Sequence, residues 1–323
     1  MVRKLKPFKT YRQQLKILRN RGLKIGNGSR AIRILSSENY YSLINGYKDL
    51  FLETDKSGKP ISPEKYKSGS TFEEIYQLYC FDRDLRNVLI EYLLKFEKSI
   101  KTKIAYRFSE KYGQPNTYLQ MSNFSRDPEK LKDVLQLIAI ISSIISDKAK
   151  YNNPIKHYLD NHDGVPLWVL VNYLTIGNIQ NFYYCLDNSL REKIAKDFSI
   201  DYSKDYRLNI HITSDDLQNI LKTATLFRNV CAHEERLYKY RIYSTPKSSK
   251  IAKKLNIPGK YLENGNLFCI VSFLKLVLSK RDHKTLISKI KRLFNQYEQN
   301  FSSVNFSKVL DTMGFPNNWT NYF

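Results

Sequence analysis

The sequence predicts an all-α protein, a helical bundle with a basic N-terminal helical segment and a C-terminal helical extension. Apolar residues recur at helical spacing along most of the chain, and several of these runs follow helix-capping residues. No stretch alternates strongly enough to indicate a sheet. Apolar side chains make up 42% of the 323 residues, which suffices for a sizeable core and argues against a wholly disordered chain.

The first half of the chain contains two well-marked helix starts. Thr10 is placed to cap the helix in "TYRQQLKILRNRG", and Gly22 to end it. Two short helical segments and a turn-rich loop follow. Thr71 and Glu74 then form a capping box before the apolar-periodic run over residues 72–112. Because this run is longer than a typical helix, we expect a bend or a break within it.

The second half contains the most apolar helix and the candidate functional segment. "VPLWVLVNYLTIGNIQNFYYCL" is apolar nearly all round, which predicts one central helix, with Gly177 as the position for a kink. Thr213 or Ser214 caps the helix that carries "TLFRNVCAHEERLYKYR". After Tyr243, polar stretches with proline and glycine lead to a last helical segment over residues 267–300.

These elements predict three consecutive parts of the chain. Residues 1–70 form a basic helical segment packed on the core, and residues 71–243 form the core that carries the Arg/His stretch. Residues 244–323 form the C-terminal helical extension.

The charge of the chain favours a polyanionic partner. Lys and Arg number 53 against 31 Asp and Glu, for a formal charge of +22. Two tracts, residues 2–37 and 236–262, contain no acidic residue. Aromatic residues alternate with basic ones in the second tract, a pattern suited to unpaired nucleotides. We expect nucleic-acid contacts from Lys9, Arg12, Lys16 and Arg19 in the first tract, and from Arg236, Tyr238, Lys239, Tyr240 and Arg241 in the second.

Other classes of protein find little support in the sequence. The N-terminus has no apolar signal region, and the apolar runs are too short or too interrupted to span a bilayer. The four cysteines are far apart and form no C-x-x-C pair, which predicts reduced thiols in the cytoplasm. "HYLDNHDG" reads as a polar loop rather than a metal site, so we expect no metal and no cofactor.

The chemistry of the Arg/His stretch fits RNA cleavage without a metal. Asn229 and His233 are four residues apart and share a helical face, with Arg228 in the neighbouring row. An imidazole can take a proton from a ribose 2′-OH or give one to the leaving 5′-oxygen near neutral pH. A guanidinium matches the charge that grows on the phosphate. Two copies packed about a twofold axis would place both Arg–His pairs around one cleft.

The segment "LFRNVCAHEERLYKYR" resembles the signature of the abortive-infection AbiD/AbiF-like proteins, a branch of the HEPN superfamily of helical ribonucleases. "KPFKTYRQQLKILRNRGL", "YYSLINGYKDLF", "GSTFEEIYQLYCFDRDLRNVLIEYL", "FEKSIKTKIAYRFSEKYG" and "VPLWVLVNYLTIGNIQNFY" are similar to that family in the same order. The resemblance covers most of the chain from residue 6 to about 243 and fades afterwards.

This resemblance implies an all-α HEPN core, a homodimer with facing motifs, and metal-independent RNase activity in phage defence or a toxin–antitoxin-like system. The R-x4-6-H positions fall on Arg228 and His233, and the polar position after the arginine on Asn229. Some AbiF-like proteins are associated with a structured non-coding RNA that restrains them, so the resemblance implies RNA both as substrate and as a regulatory partner. Two residues depart from the pattern: Asn172 stands where many relatives have Glu, and Glu234 where a second His often follows.

Two other functions fit part of the sequence. A non-catalytic, RNA-binding HEPN-like scaffold would retain the basic tracts and the helical core, and the departure at Asn172 keeps this alternative open. Association with a membrane surface through the basic N-terminus lacks a strongly amphipathic apolar face and ranks below both.

Overall fold

Helices form nearly all of the regular structure in the computed structural model, which describes residues 7–113, 115–243 and 248–323. The predicted all-α class is confirmed, because the described residues contain only three isolated β-bridges and no strand. In chain order the α-helices are α1 (Tyr11–Asn20), α2 (Gly28–Ser37), α3 (Phe72–Tyr112), α4 (Leu131–Lys148), α5 (Pro154–Asn161), α6 (Leu167–Leu170), α7 (Ile176–Cys185), α8 (Asn188–Tyr206), α9 (Ser214–Ala232), α10 (Ser249–Leu255), α11 (Leu267–Leu274), α12 (Lys280–Glu298) and α13 (Phe306–Met313).

The described residues divide into two compact units that are discontinuous in sequence. The first unit contains the chain up to Val88, with Arg236–Lys239 and Ser288–Met313. The second unit contains Leu89–Glu235, Tyr240–Ile287 and Gly314–Phe323. This division follows spatial contacts, and it differs from the three consecutive parts that the sequence suggests.

The first unit is built on α1, α2 and the start of α3. Thr10 caps α1 as expected, in a capping box with Gln13, and Gly22 adopts a left-handed φ of +91° just beyond its end. The predicted capping box of Thr71 and Glu74 is also present, with N–H to oxygen distances of 3.0 and 3.1 Å. Aromatic rings from α3, α12 and α13 fill the core of this unit, namely Phe81, Phe294, Tyr297 and Phe306.

α3 is one continuous helix of 41 residues, so of the bend or break that we expected, the break does not occur. The run contains no proline or glycine, the residues that most often interrupt a helix. Its residues also pack in both units, the first up to Val88 and the second from Leu89 onwards. Tertiary burial along its length therefore stabilises a helix that few sequences sustain in isolation.

The central apolar run is not one helix, and that prediction is wrong. α6 and a short 3-10 turn end at Tyr173, Leu174 is extended, and α7 starts anew at Ile176. A capping box causes the restart: the Thr175 hydroxyl accepts from the N–H of Asn178, and the Asn178 side chain accepts from the N–H of Thr175. The interruption therefore lies before Gly177 and not at it.

The second unit is organised around α9, which packs against α7, α8 and α11. Its core contains Phe96, Phe108, Phe182, Phe198 and Phe227, each at most 2% exposed. The last predicted helical segment is split into α11 and α12. The split lies before Ser279, whose hydroxyl accepts from the N–H of Asp282 and so caps α12.

Candidate functional site

α9 starts at a well-formed cap. The sequence allowed Thr213 or Ser214 in this role, and the structure selects Thr213, whose hydroxyl accepts from the N–H of Asp216 at 3.2 Å. The Asp216 carboxylate accepts in return from the N–H of Thr213 at 3.0 Å. This reciprocal capping box fixes the helix start, and with it the rotation of every later side chain around the helix axis.

The burial of α9 changes towards its C-terminal end. Most of its length is enclosed, and residues such as Leu217 and Phe227 have no exposed surface. In the last turn, Asn229 is exposed, and the Arg228 side chain is 28% exposed. His233, directly after the helix, is also exposed. All three predicted catalytic residues are therefore accessible at one end of an otherwise buried helix.

His233 lies at the end of the helix, whereas the sequence suggested a position inside it. It is the C-cap residue, and its N–H donates to the carbonyl of Asn229 at 2.9 Å. Glu234 then adopts a left-handed conformation with φ of +55°, and the N–H of Glu235 donates to the carbonyl of Val230 at 3.0 Å. This is a Schellman-type ending, in which glycine is the usual left-handed residue. It turns the chain immediately after the imidazole.

Arg228 is held by a carboxylate that the sequence analysis missed. Its Nε lies 3.5 Å from Oε2 of Glu97 on α3. The other oxygen of Glu97, Oε1, accepts a hydrogen bond of 2.7 Å from Nζ of Lys101. The Glu97 side chain is only 9% exposed. The three side chains form what we call the Arg228 cluster: Arg228, Glu97 and Lys101.

A groove of about 800 Å³ runs along α3 beside this cluster. Glu97 forms part of its wall, and the surrounding surface includes Leu94, Tyr106, Trp168 and Asn172. Trp168 is 57% exposed and Tyr106 is 62% exposed. Exposure of two large aromatic rings in one concave surface is typical of a binding surface.

Asn172, where the resemblance described above leads us to expect a glutamate, lines the same groove as Glu97. Its side-chain amide donates to the carbonyls of Trp168 at 3.1 Å and Val169 at 3.2 Å. Those hydrogen bonds stay within one helical turn. Asn172 therefore contributes a neutral group to the groove, whereas a glutamate there would add a negative charge close to Glu97.

The four predicted RNA contacts in the N-terminal tract are all exposed and belong to the first unit. Arg12, Lys16 and Arg19 lie on α1 at spacings of four and three residues, so they share one face of the helix. Lys9 precedes the helix and is also exposed. The tract thus presents a row of cations, while Leu15 and Leu18 are buried.

Tyr238 and Tyr240, the two tyrosines predicted to contact RNA, differ in how far they are buried. Tyr238 is 1% exposed, its ring stacks on Tyr47 at 5.5 Å, and burial raises the pKa of its phenol. The prediction that Tyr238 stacks on bases is contradicted by this burial, because core packing covers the ring. Tyr240 is partly exposed and meets Phe227 edge-on at 5.1 Å. Its ring keeps an accessible part.

The three cations of the second tract remain at the surface. Nη1 of Arg236 donates to the carbonyl of Gly46 at 2.6 Å, and Nζ of Lys239 pairs with Asp49 at 2.6 Å. Arg241 is exposed. A surface ion pair such as Lys239–Asp49 contributes little to stability and can be exchanged for a phosphate at small cost.

Glu97 was missed because its role depends on a contact between distant parts of the sequence. In "FEKSIK", Glu97 and Lys101 are four residues apart and read as an ordinary surface ion pair on a helix. The one local hint is the position of Glu97 on the apolar face of α3, next to the fully buried Phe96. A carboxylate on a buried face needs a cation, and the sequence does not say which one.

We searched the described residues for metal sites and for membrane-spanning helices. Within the residues that it describes, no three His, Cys, Asp or Glu side chains come together so that they could hold a metal ion. No helix in the described part of the chain is both long and apolar enough to cross a bilayer.

Comparison with known proteins gives one family match. A family model described as "Abi-like protein" matches residues 33–239. The match spans more than half of the chain and includes Arg228, Asn229, His233 and Glu97. No curated protein matches the chain significantly, and no solved structure does.

Proposed function

This chain belongs to the Abi-like protein family, whose name points to abortive infection in phage defence, and we propose that it acts there as a metal-independent endoribonuclease. The observation that carries the proposal is the accessible end of α9. Arg228, Asn229 and His233 are exposed or partly exposed there, although most of the helix is buried. These are the three residue types that the reaction needs.

The proposed reaction is a transesterification within the RNA. His233 takes the proton of a ribose 2′-OH, and the 2′-oxygen forms a bond to the adjacent phosphorus. The bond from phosphorus to the 5′-oxygen breaks, and a second acid–base group returns a proton to that oxygen. The products carry 2′,3′-cyclic phosphate and 5′-OH ends. A second copy of the chain, packed about a twofold axis, would supply the second imidazole.

Arg228 and Asn229 have supporting roles in this proposal. The Arg228 guanidinium binds the phosphate and stabilises the negative charge that grows on its oxygens. Asn229 lies one turn before His233, and its amide orients either the imidazole or the phosphate. The exposed cations of both basic tracts, on this view, hold the RNA backbone by charge.

The test is cleavage of RNA by the purified protein in EDTA. His233→Ala should lower the rate constant by about 10²- to 10⁴-fold, the usual contribution of a general acid–base group. His211→Ala is the matched control, because His211 is also exposed but precedes α9, whereas His233 follows it at the opposite end. Cyclic-phosphate ends from the wild type and the control, and not from His233→Ala, are the expected result. Equal cleavage by both variants would contradict the assignment of His233.

A second candidate function is RNA binding without cleavage, and Asn172 favours it. The groove beside the Arg228 cluster carries the neutral Asn172 amide, which donates to the carbonyls of Trp168 and Val169, where the resemblance leads us to expect an acid. Salt-dependent RNA binding with no cyclic-phosphate product, from a protein shown to be dimeric, would support this candidate over the nuclease.

A further inference from the structure

Glu97 is a buried carboxylate with an incomplete set of hydrogen bonds. Its Oε1 accepts from Lys101, but its Oε2 is buried and accepts no hydrogen bond. Nε of Arg228 lies 3.5 Å from Oε2, and this Nε is also buried without a hydrogen-bond partner. Carboxylate and guanidinium therefore face each other as charges, just beyond a normal hydrogen bond.

Such an arrangement costs stability and is not explained by the fold alone. A buried acceptor without a hydrogen bond destabilises the folded state, and a short movement of the guanidinium would complete the bond. Arg107 and Asp197, which join the same helix α3 to α8, form a complete pair with distances of 2.6 and 2.9 Å. The chain thus builds a well-bonded Arg–carboxylate pair where the pair only joins two helices.

The charges of the Arg228 cluster match a single phosphodiester. Two cations and one carboxylate carry a net charge of +1, and one phosphodiester of RNA carries a charge of −1. Because the contact with Glu97 uses Nε, the two Nη groups of Arg228 can bind the phosphate oxygens. The 28% exposure of the Arg228 side chain provides access for the phosphate.

We propose that Glu97 is a positioning residue. Its carboxylate restrains the Arg228 guanidinium at Nε, so that the two Nη groups of Arg228 point towards the scissile phosphate. This inference rests on the proposed nuclease function. Lys101 neutralises part of the negative charge of Glu97 and so weakens the attraction between Glu97 and Arg228. Arg228 can then shift towards the phosphate as charge develops during the reaction.

The first test is Glu97→Gln, which keeps the size of the side chain and removes its charge. The turnover number kcat should fall about 10- to 100-fold and KM should rise by the smaller factor of about 3 to 5, because a misplaced guanidinium affects the transition state more than the bound substrate. Asp197→Asn is the matched control, since it breaks the other Arg–carboxylate pair of α3. It should lower the melting temperature and leave kcat unchanged. A kcat of Glu97→Gln within 2-fold of an active wild type would overturn the proposal.

A second test separates this inference from the nuclease function itself. Affinity for a 2′-O-methyl RNA strand, which lacks the nucleophilic hydroxyl, is measured for Glu97→Gln, Arg228→Ala and the double variant. If Glu97 acts through Arg228, Glu97→Gln weakens binding at least 3-fold in the wild type and less than 1.5-fold when Arg228 is already alanine. Equal effects in both backgrounds would overturn the positioning role.

The two tests can fail separately. Coupled binding effects without cleavage by the wild type would contradict the nuclease and keep the role of Glu97 towards a phosphate. Cleavage by the wild type with uncoupled effects would keep the nuclease and reject that role. No binding of the strand by any of the proteins would overturn the inference.

Discussion

Asp82 and Glu97 are two buried carboxylates on the same helix, α3, and they differ in how completely they are hydrogen-bonded. Asp82 has no exposed surface, and Glu97 is 7% exposed. Complete burial raises the pKa of Asp82, and the Arg86 guanidinium opposes that shift. Four donors surround Asp82 at 2.6 to 3.0 Å: the Tyr47 hydroxyl, Nη1 of Arg86, and the N–H groups of Leu237 and Tyr238.

Glu97 has one hydrogen bond from Lys101 and an oxygen that accepts none. The contrast indicates different purposes. Asp82 accepts hydrogen bonds from two backbone N–H groups, a hydroxyl and a guanidinium. It therefore fixes the position of the segment that starts at Arg236. Glu97 faces Arg228 at 3.5 Å without a hydrogen bond, and the proposed positioning role depends on the guanidinium being able to shift from there towards a phosphate.

The largest expected effect is a difference in stability when each carboxylate is replaced by its amide. Asp82→Asn removes the buried carboxylate that pairs with Arg86 at 2.6 Å, so the free energy of unfolding should fall by about 3 to 5 kcal/mol. Glu97→Gln should cost about 1 kcal/mol or less, because Arg228 and Lys101 retain access to water. Urea unfolding followed by circular dichroism measures both. Equal losses would remove the distinction between the two carboxylates.

A third buried ionisable group, His283, should make the stability of the fold sensitive to acid. It is 1% exposed, its Nε2 lies 3.2 Å from the carbonyl of Val271, and burial lowers its pKa to about 4. An unfolded histidine has a pKa near 6.5, so between these values the unfolded chain binds more protons than the folded one. Stability should therefore fall as the pH drops from about 6.5 towards 4, by about 3 kcal/mol in total.

His283→Gln tests this contribution, because an amide can still donate to the carbonyl of Val271 but does not titrate. The free energy of unfolding of the wild type and of the variant is measured at neutral pH and near pH 4.5. We expect a smaller decrease for the variant. If both proteins lose the same stability, carboxylates whose pKa is lowered in the folded state, such as Glu74 with its hydrogen bonds from Ser302 and Ser303, cause the acid sensitivity and not His283.

The smallest expected effect concerns the turn after His233. Glu234 has a φ of +55°, which glycine adopts without the steric cost that other residues have there. Glu234→Gly should raise the free energy of unfolding by up to about 1 kcal/mol. If Arg228 is positioned from α3 and not by this turn, cleavage should be unchanged. A large loss of cleavage would show that strain in the turn contributes to the site.

Local signals in the sequence predicted the parts of the fold that depend on neighbouring residues. Helices start at Thr10, Thr71 and Thr213 because each threonine hydroxyl accepts a hydrogen bond from the backbone N–H three residues later. This contact depends only on the local sequence. Thr175 and Asn178 form the same motif, but the apolar run around them pointed to one uninterrupted helix. There a local capping signal prevailed over the hydrophobic pattern.

The prediction of Arg228, Asn229 and His233 as catalytic residues also rests on the sequence alone, since their spacing and chemistry lie within one short segment. Tertiary structure decided what surrounds them. It placed Glu97 of α3 against Arg228 of α9, and it buried Tyr238 against Tyr47. It also kept α3 unbroken over 41 residues. These outcomes depend on contacts between residues distant in the chain, and the energy of such contacts is set by burial and packing, which no local pattern records.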